Sequence, residues 1–178
     1  MRIRGRRNVP RTGGLLVLAN HTSDADPPLM GYAIPRPMYF MAKSELFDIP
    51  ILGRLMKWYR SFPVKRGAPD RGALRRAIDL ARAGECVVVF PEGECSETGK
   101  LQRILPGATL IIRQSGVPVI CCGLRDVNRM LPYGKLIPRP AFHAIRVEFG
   151  DAKQFEKDAT EEQISAWIES ELRRLSGQ

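Results

Sequence analysis

The chain has 178 residues, 44% hydrophobic and 26% charged, with 28 Lys and Arg against 19 Asp and Glu. That is one domain's length with enough apolar content for a sizeable core, which excludes an intrinsically disordered chain. No uninterrupted apolar stretch exceeds five residues, far short of the roughly 18 that a membrane-spanning helix needs. The net charge of +9 is uneven: residues 1–76 carry +10 and residues 77–178 carry −1. A basic half suits an anionic partner, whether nucleic acid, a phospholipid surface or a phosphorylated small molecule.

The opening Met1-Arg-Ile-Arg-Gly-Arg-Arg7 has charge but no apolar core behind it, and is not read as a secretory signal. Leu15–Ala19 is a continuous apolar run that reads as a buried strand. It ends in the polar turn Asn20–Pro28, where Asp26 followed by Pro27 reads as an N-cap and first helical residue. That helix is expected through Leu29–Tyr32, stopping before Pro35. Met38–Ala42 reads as a second strand, Ser44–Phe47 and Ile51–Tyr59 as short helices or turns, and Phe62–Val64 as a third strand. Asp70 caps a helix over about 71–83, with Leu74, Ala77, Ile78 and Ala81 on one face and Gly84 as its stop. Cys86–Phe90, Val117–Cys122 and Ala144–Phe149 read as strands, and Pro106–Ser115 as a helix closed by Gly116. Thr160–Gln163 is a capping box that opens a terminal amphipathic helix over about 161–175. Strands alternating with helices predict a single α/β domain over residues 1–178, a mixed, largely parallel sheet flanked by helices. In such sheets, chemistry gathers in the loops beyond the C-terminal strand ends, the place of Asn20–Asp26 and Pro91–Ser96.

His21, one of two histidines, directly follows the first long strand, in a turn with two aspartates. An imidazole held by a carboxylate is a good general base, because the carboxylate selects the tautomer and stabilises the imidazolium. Asp26 is the better-placed partner, with Asp24 the alternative; the plainer reading leaves Asp26 a helix cap and His21 a polar loop residue. No Gly-x-Ser-x-Gly elbow is present. Cys95 follows a turn and is a candidate thiol nucleophile, whereas Cys86, Cys121 and Cys122 sit in apolar stretches as small buried hydrophobes. The cysteines have no zinc-like spacing, and a reduced, cytoplasmic setting is expected. Lys65 and Arg66 place adjacent cations at a strand end, where they suit a phosphate.

The order and spacing of these blocks resemble the glycerolipid acyltransferases of the 1-acylglycerol-3-phosphate acyltransferase family. Asn20-His21-Thr-Ser-Asp-Ala-Asp26 matches the family's first block, in which four residues separate His and Asp. Ala42–Phe47 through Phe62–Arg66 is similar to the second, Phe90-Pro-Glu-Gly93 with Ser96 to the third, and Val117–Ile120 with Gly123 to the fourth. The resemblance runs over about residues 5–150 and includes Gly5–Pro10 as a lead-in segment. It implies an αβ sandwich that transfers a fatty acyl group from acyl-CoA or an acyl carrier protein thioester to a lysophospholipid hydroxyl, most often that of 1-acylglycerol-3-phosphate. His21 is then the general base and Asp26 its partner. Lys65 and Arg66 correspond to the phosphate-binding position, and Glu92, Gly93 and Ser96 to the third block's substrate-binding positions. Backbone N–H groups near Gly93 are expected to face the oxyanion, and Glu92 to organise the acceptor site.

No metal or bound cofactor is implied beyond the thioester co-substrate. The implied setting is cytoplasmic and peripheral, on the anionic inner face of a membrane, with no nucleic-acid partner. Glu94 and Cys95 stand where the family's Thr and Arg are usual. That departure keeps open a phosphate-free acceptor such as an amino-acid lipid, with Lys100 or Arg103 as substitute cations otherwise. An acyl-thioester hydrolase and a non-enzymatic basic lipid- or nucleic-acid-binding module are the competing readings. Met38, Phe40, Leu52, Met56 and Trp58 are candidates for an acyl tunnel or for simple core.

Overall fold

The computed structural model describes residues 1–65, 70–135 and 137–178, and its described strands form one seven-stranded sheet. The strands are β1 (Arg2–Arg4), β2 (Leu15–Ala19), β3 (Tyr39–Lys43), β4 (Ser61–Val64), β5 (Cys86–Val89), β6 (Val119–Arg125) and β7 (Arg146–Phe149). Their order across the sheet is β1-β7-β6-β2-β5-β3-β4. β6, β2, β5, β3 and β4 run parallel, while β7 is antiparallel to β6 and takes β1 with it. The helices are α1 (Asp26–Ala33), α2 (Pro50–Trp58), α3 (Arg71–Arg82), α4 (Pro106–Ser115), α5 (Val127–Met130) and α6 (Glu161–Ser176). The mixed, largely parallel α/β architecture is therefore as the sequence predicts.

Two cores lie on opposite faces of the sheet, which is why β2 is apolar at every position. Leu15, Val17 and Ala19 pack with Met30 and Ala33 of α1, with Val127 and Met130 of α5, and with Ile145. Leu16 and Leu18 pack with Ala77 and Ile78 of α3, Ile111 and Ile112 of α4, and Ile164, Ile168 and Leu172 of α6. The helices of this second face have strong local stops and starts. The Asp70 side chain accepts from Ala73 N–H at 3.0 Å to open α3, and Thr160 and Gln163 form a reciprocal capping box on α6. α6 lies so close to β6 that a Cβ at Gly123 would sit 2.2 Å from the Leu175 backbone.

Several boundaries differ from the sequence expectation. Asp26 is not the N-cap of α1: Ala25 holds that position without a side-chain cap, and the Asp26 carboxylate turns back into the preceding loop. β6 starts at Val119 rather than Val117 and runs on to Arg125, because it pairs with β2 on one side and β7 on the other. β1 and α5 were not expected. β1 has only three residues, and its partner β7 lies at the far end of the chain.

Candidate active site

β2 ends at Ala19, yet its contact with β6 continues for one more residue through a side chain. The Asn20 carboxamide donates to Leu124 O at 2.9 Å and accepts from Leu124 N–H at 2.7 Å. Asn offers a donor and an acceptor side by side, so it replaces one rung of the ladder while the backbone turns away. The turn carries His21 to the C-terminal end of the parallel strands.

There, His21 Nδ1 lies 2.9 Å from Asp26 Oδ2. The same oxygen accepts from Thr22 N–H at 2.6 Å and from Ser23 N–H at 2.8 Å. An oxygen already taking two backbone donors is an acceptor for the ring as well, so Nδ1 carries the proton and Nε2 is the basic nitrogen. Asp26 is fully buried and its other oxygen, Oδ1, has no partner among the described residues. Burial pushes the Asp26 carboxyl above the ordinary carboxylate range, and His21 and the two N–H groups pull it back. The His21 ring stacks on Phe90, with centroids 4.1 Å apart and planes at 21°. The carboxylate and the phenyl ring together fix the imidazole in position and tautomer.

The third block approaches from β5. Gly93 turns the chain with φ +78, and its N–H donates to Phe90 O at 3.0 Å, closing the turn on itself. Glu92 points inward and is 3% exposed. Its Oε1 accepts from His21 N–H at 2.7 Å, and its Oε2 from Gln102 N–H at 2.7 Å. Glu92 is thus a strut joining three segments of chain, and burial raises its pKa against those two donors. Ser96 is buried, and its N–H donates to His21 O at 2.8 Å. Both backbone groups of His21 are therefore held by the third block.

His21, Asp26, Glu92, Gly93 and Ser96 thus converge on one loop cluster. Lys65 does not join it directly. It is exposed at the end of β4, three strand spacings from β2, or about 14 Å across the sheet. Its N–H donates to Asp70 Oδ2 at 2.9 Å, and this bond is the leading cause of the lowered Asp70 pKa. Arg66 lies outside the described residues. Asp24, the alternative partner for His21, faces elsewhere, its Oδ2 accepting from Gly134 N–H at 3.4 Å. Cys95 is buried at 6% exposure. Cys86, Cys121 and Cys122 are buried as expected, and burial pushes the Cys86 thiol up to about 12. Trp58 is 76% exposed, so it belongs to neither core nor tunnel. No group of three or more metal-ligating side chains occurs among the described residues.

Sequence reasoning quoted Asn20, Ser23 and Phe90 as motif letters but assigned them no task. Ser23 Oγ donates to Leu131 O at 2.6 Å and accepts from Ala25 N–H at 3.1 Å, tying the His21–Asp26 turn to the chain after β6. The signal for Asn20 was its place directly after a buried apolar run, where a polar residue must find partners.

A carboxylate-oriented histidine above the C-terminal ends of a parallel sheet, its other ring nitrogen without a hydrogen-bond partner among the described residues, is an arrangement suited to general-base chemistry. Residues 1–125 match the family model described as Acyltransferase, and the chain belongs to that family. Among curated relatives, it is 31% identical over 135 residues to the chloroplastic 1-acyl-sn-glycerol-3-phosphate acyltransferase BAT2 of Brassica napus, covering 74% of this chain and 39% of that one. It is 30% identical over 122 residues to the 1-acyl-sn-glycerol-3-phosphate acyltransferase of Bacillus subtilis, covering 67% and 60%. The chain thus spans between about two fifths and three fifths of these relatives' lengths. The crystal structure of the 1-acyl-sn-glycerophosphate acyltransferase of Thermotoga maritima shares the fold, with TM-score 0.80 and 24% identity over 97% of this chain and 69% of that one.

Proposed function

We propose that the chain transfers a fatty acyl group from a thioester, on coenzyme A or an acyl carrier protein, to the free hydroxyl of a lysophospholipid. The preferred acceptor in this reading is 1-acylglycerol-3-phosphate, and the product is phosphatidic acid. The observation that carries it is the His21–Asp26 pair at 2.9 Å, with Asp26 Oδ2 also held by two backbone N–H groups. His21 Nε2 takes the acceptor proton as the hydroxyl oxygen attacks the thioester carbonyl. The tetrahedral intermediate then breaks its C–S bond, and the imidazolium returns the proton to the departing thiolate. Asp26 stabilises the imidazolium between the two steps. An acyl-enzyme is not needed.

Lys65, Lys100 and Arg103 are the cations assigned to the acceptor phosphate, together with Arg66. Lys100 and Arg103 flank Gln102, whose N–H rests on Glu92, so their segment is anchored to the same strut as His21. A phosphate-free lysolipid is the second reading, favoured by Glu94 and Cys95 in the third block. The test is a panel of lysolipids with one long-chain acyl thioester, read by thiol release and lipid mass spectrometry. Acceptor-dependent thiol release supports transfer, and release without acceptor overturns it in favour of hydrolysis. Acylation confined to phosphate-free acceptors overturns the phosphatidic-acid assignment alone.

A further inference from the structure

Apolar side chains left in water are unevenly distributed over this molecule. On α2, Ile51, Leu55 and Trp58 are 84%, 43% and 76% exposed. Their i, i+4, i+7 spacing puts them in one stripe, and Ile49 extends it by another half-exposed residue. The opposite side of α2 seats on the molecule through Gly53, where a Cβ would lie 2.4 Å from Phe47 O. The stripe of Ile51, Leu55 and Trp58 thus lies away from the side that packs on the molecule, as in an amphipathic helix whose apolar face is left uncovered among the described residues.

A second such region follows β6. Tyr133, Ile137 and Phe142 are 45%, 82% and 56% exposed. Their segment is fastened to the catalytic turn by the Ser23 Oγ bond to Leu131 O at 2.6 Å and the Gly134 N–H bond to Asp24 at 3.4 Å. α2 leaves the C-terminal end of β3, and this segment follows the C-terminal end of β6. β3 and β6 lie on either side of the central pair β2 and β5, parallel to both. The two apolar regions therefore flank His21 at the same end of the sheet.

Their charge is equally one-sided. Between Asp48 and Asp70 the sequence has five cations and no anion, and between Asp126 and Glu148 four cations and no anion. Exposed apolar groups set among cations, with Trp and Tyr at the border, match the interfacial zone of an anionic bilayer. A second copy of the chain is a poorer occupant, since a two-fold interface would face these cations with themselves.

We propose that α2 and residues 131–135 and 137–142 form a two-footed surface that seats the protein on an anionic lipid bilayer with His21 between the feet. The partner is the bilayer surface itself, and the seating rests on the acyl-transfer reading only for its purpose, presenting the acceptor hydroxyl to His21. Ile51, Leu55 and Ile137 enter the acyl boundary. Arg54, Lys57, Lys135 and Arg139 stay among the lipid phosphates.

The test is vesicle binding, read by Trp58 fluorescence in a Trp167→Phe background. Trp167 packs edge-on against Phe155 and is a separate reporter to be removed. Equimolar phosphatidylcholine and phosphatidylglycerol vesicles should shift Trp58 emission to the blue and allow quenching by brominated chains. Ile51→Gln with Leu55→Gln should weaken binding by at least roughly tenfold, and Arg54→Gln or Lys57→Gln by about fivefold each. Pure phosphatidylcholine vesicles should bind far less. His21→Ala should bind as the wild type does, and the α2 variants should keep wild-type turnover of a short-chain lysolipid in its monomeric range.

Unchanged vesicle affinity in the Ile51→Gln/Leu55→Gln variant overturns the proposal. So does sedimentation as a dimer that this variant dissolves, or binding to an acidic protein partner with none to vesicles. Vesicle binding without any acyl transfer would instead overturn the proposed reaction and leave the surface standing.

Discussion

The two faces of the sheet are finished in different ways. On one, α3, α4 and α6 present amphipathic stripes to Leu16, Leu18 and Val119, and their polar sides face water. On the other, α1, short α5 and the chain through Ile145 cover Leu15, Val17 and Ile120. This second cover is thinner. Near it lie the exposed side chains of Tyr32, Tyr133, Ile137 and Phe142, and Tyr59 just past α2 reaches the α1 backbone at Gly31. The buried carboxylate of Asp26, with an unpartnered oxygen, also belongs to this side. The first face leaves only Leu105 and Leu110 exposed among its large apolar side chains, whereas the second keeps more apolar surface in water and a polar group in the core, both of which cost free energy. Stability and function have been divided between the faces, so substitutions on each should fail in different assays.

The largest effect is expected at His21. His21→Ala removes the proposed base and should lower kcat by about 10³-fold, read at a temperature where thermal unfolding shows the variant folded, since buried Asp26 also loses a donor and Phe90 its stacked ring. A variant that kept the wild-type rate would break the assignment of this end of the molecule to catalysis. Asp26→Asn comes next, with a loss of about 10²- to 10⁴-fold in kcat from the lost stabilisation of the imidazolium. Its stability should change in the opposite sense, and with pH. The folded-state pKa of Asp26 is raised above the ordinary 3.8. Its contribution is therefore fully present below that value and lost as pH rises through the folded pKa. Asn does not ionise, so thermal melts should favour Asp26→Asn over the wild type more at about pH 8 than at about pH 4. A difference that shrank with rising pH would show that the three donors outweigh burial at this carboxylate.

Most of the regular structure was legible because both faces of β2, β5 and β6 are buried and read as unbroken apolar runs, and because Asp70, Gly116 and Thr160 mark helix ends locally. His21 and Asp26 were legible for the same reason: only four residues separate them, so one turn contains the whole pair. The Glu92 strut and the Asn20 rung were not, since their partners lie 71 and 104 residues away. The Asp26 cap was misread because a carboxylate before proline can turn either forward onto the helix or back onto the loop. Local sequence does not weigh those two sets of N–H donors. The α2 stripe shows a related gap. Periodicity says that Ile51, Leu55 and Trp58 share a face, but not whether protein covers that face.

On the sealed face the measurement to make is stability. Leu172 is fully buried between α6 and the sheet, and Leu172→Ala should cost about 2–5 kcal/mol. The loss would be read as a lower denaturation midpoint, with kcat unchanged under conditions where the variant is folded. A fall in kcat without loss of stability would mean that the two faces are coupled through β6.

The smallest expected effect is the most discriminating. Ile51→Gln with Leu55→Gln changes side chains that already face water, so stability should stay within about 0.5 kcal/mol of the wild type. If the pair instead destabilised the fold by as much as Leu172→Ala, α2 would be a core helix and the contrast between the faces would collapse. If stability holds while vesicle binding falls, the apolar stripe is explained by something outside the protein. The free energy left in water on this face then has a destination, the lipid surface against which His21 works.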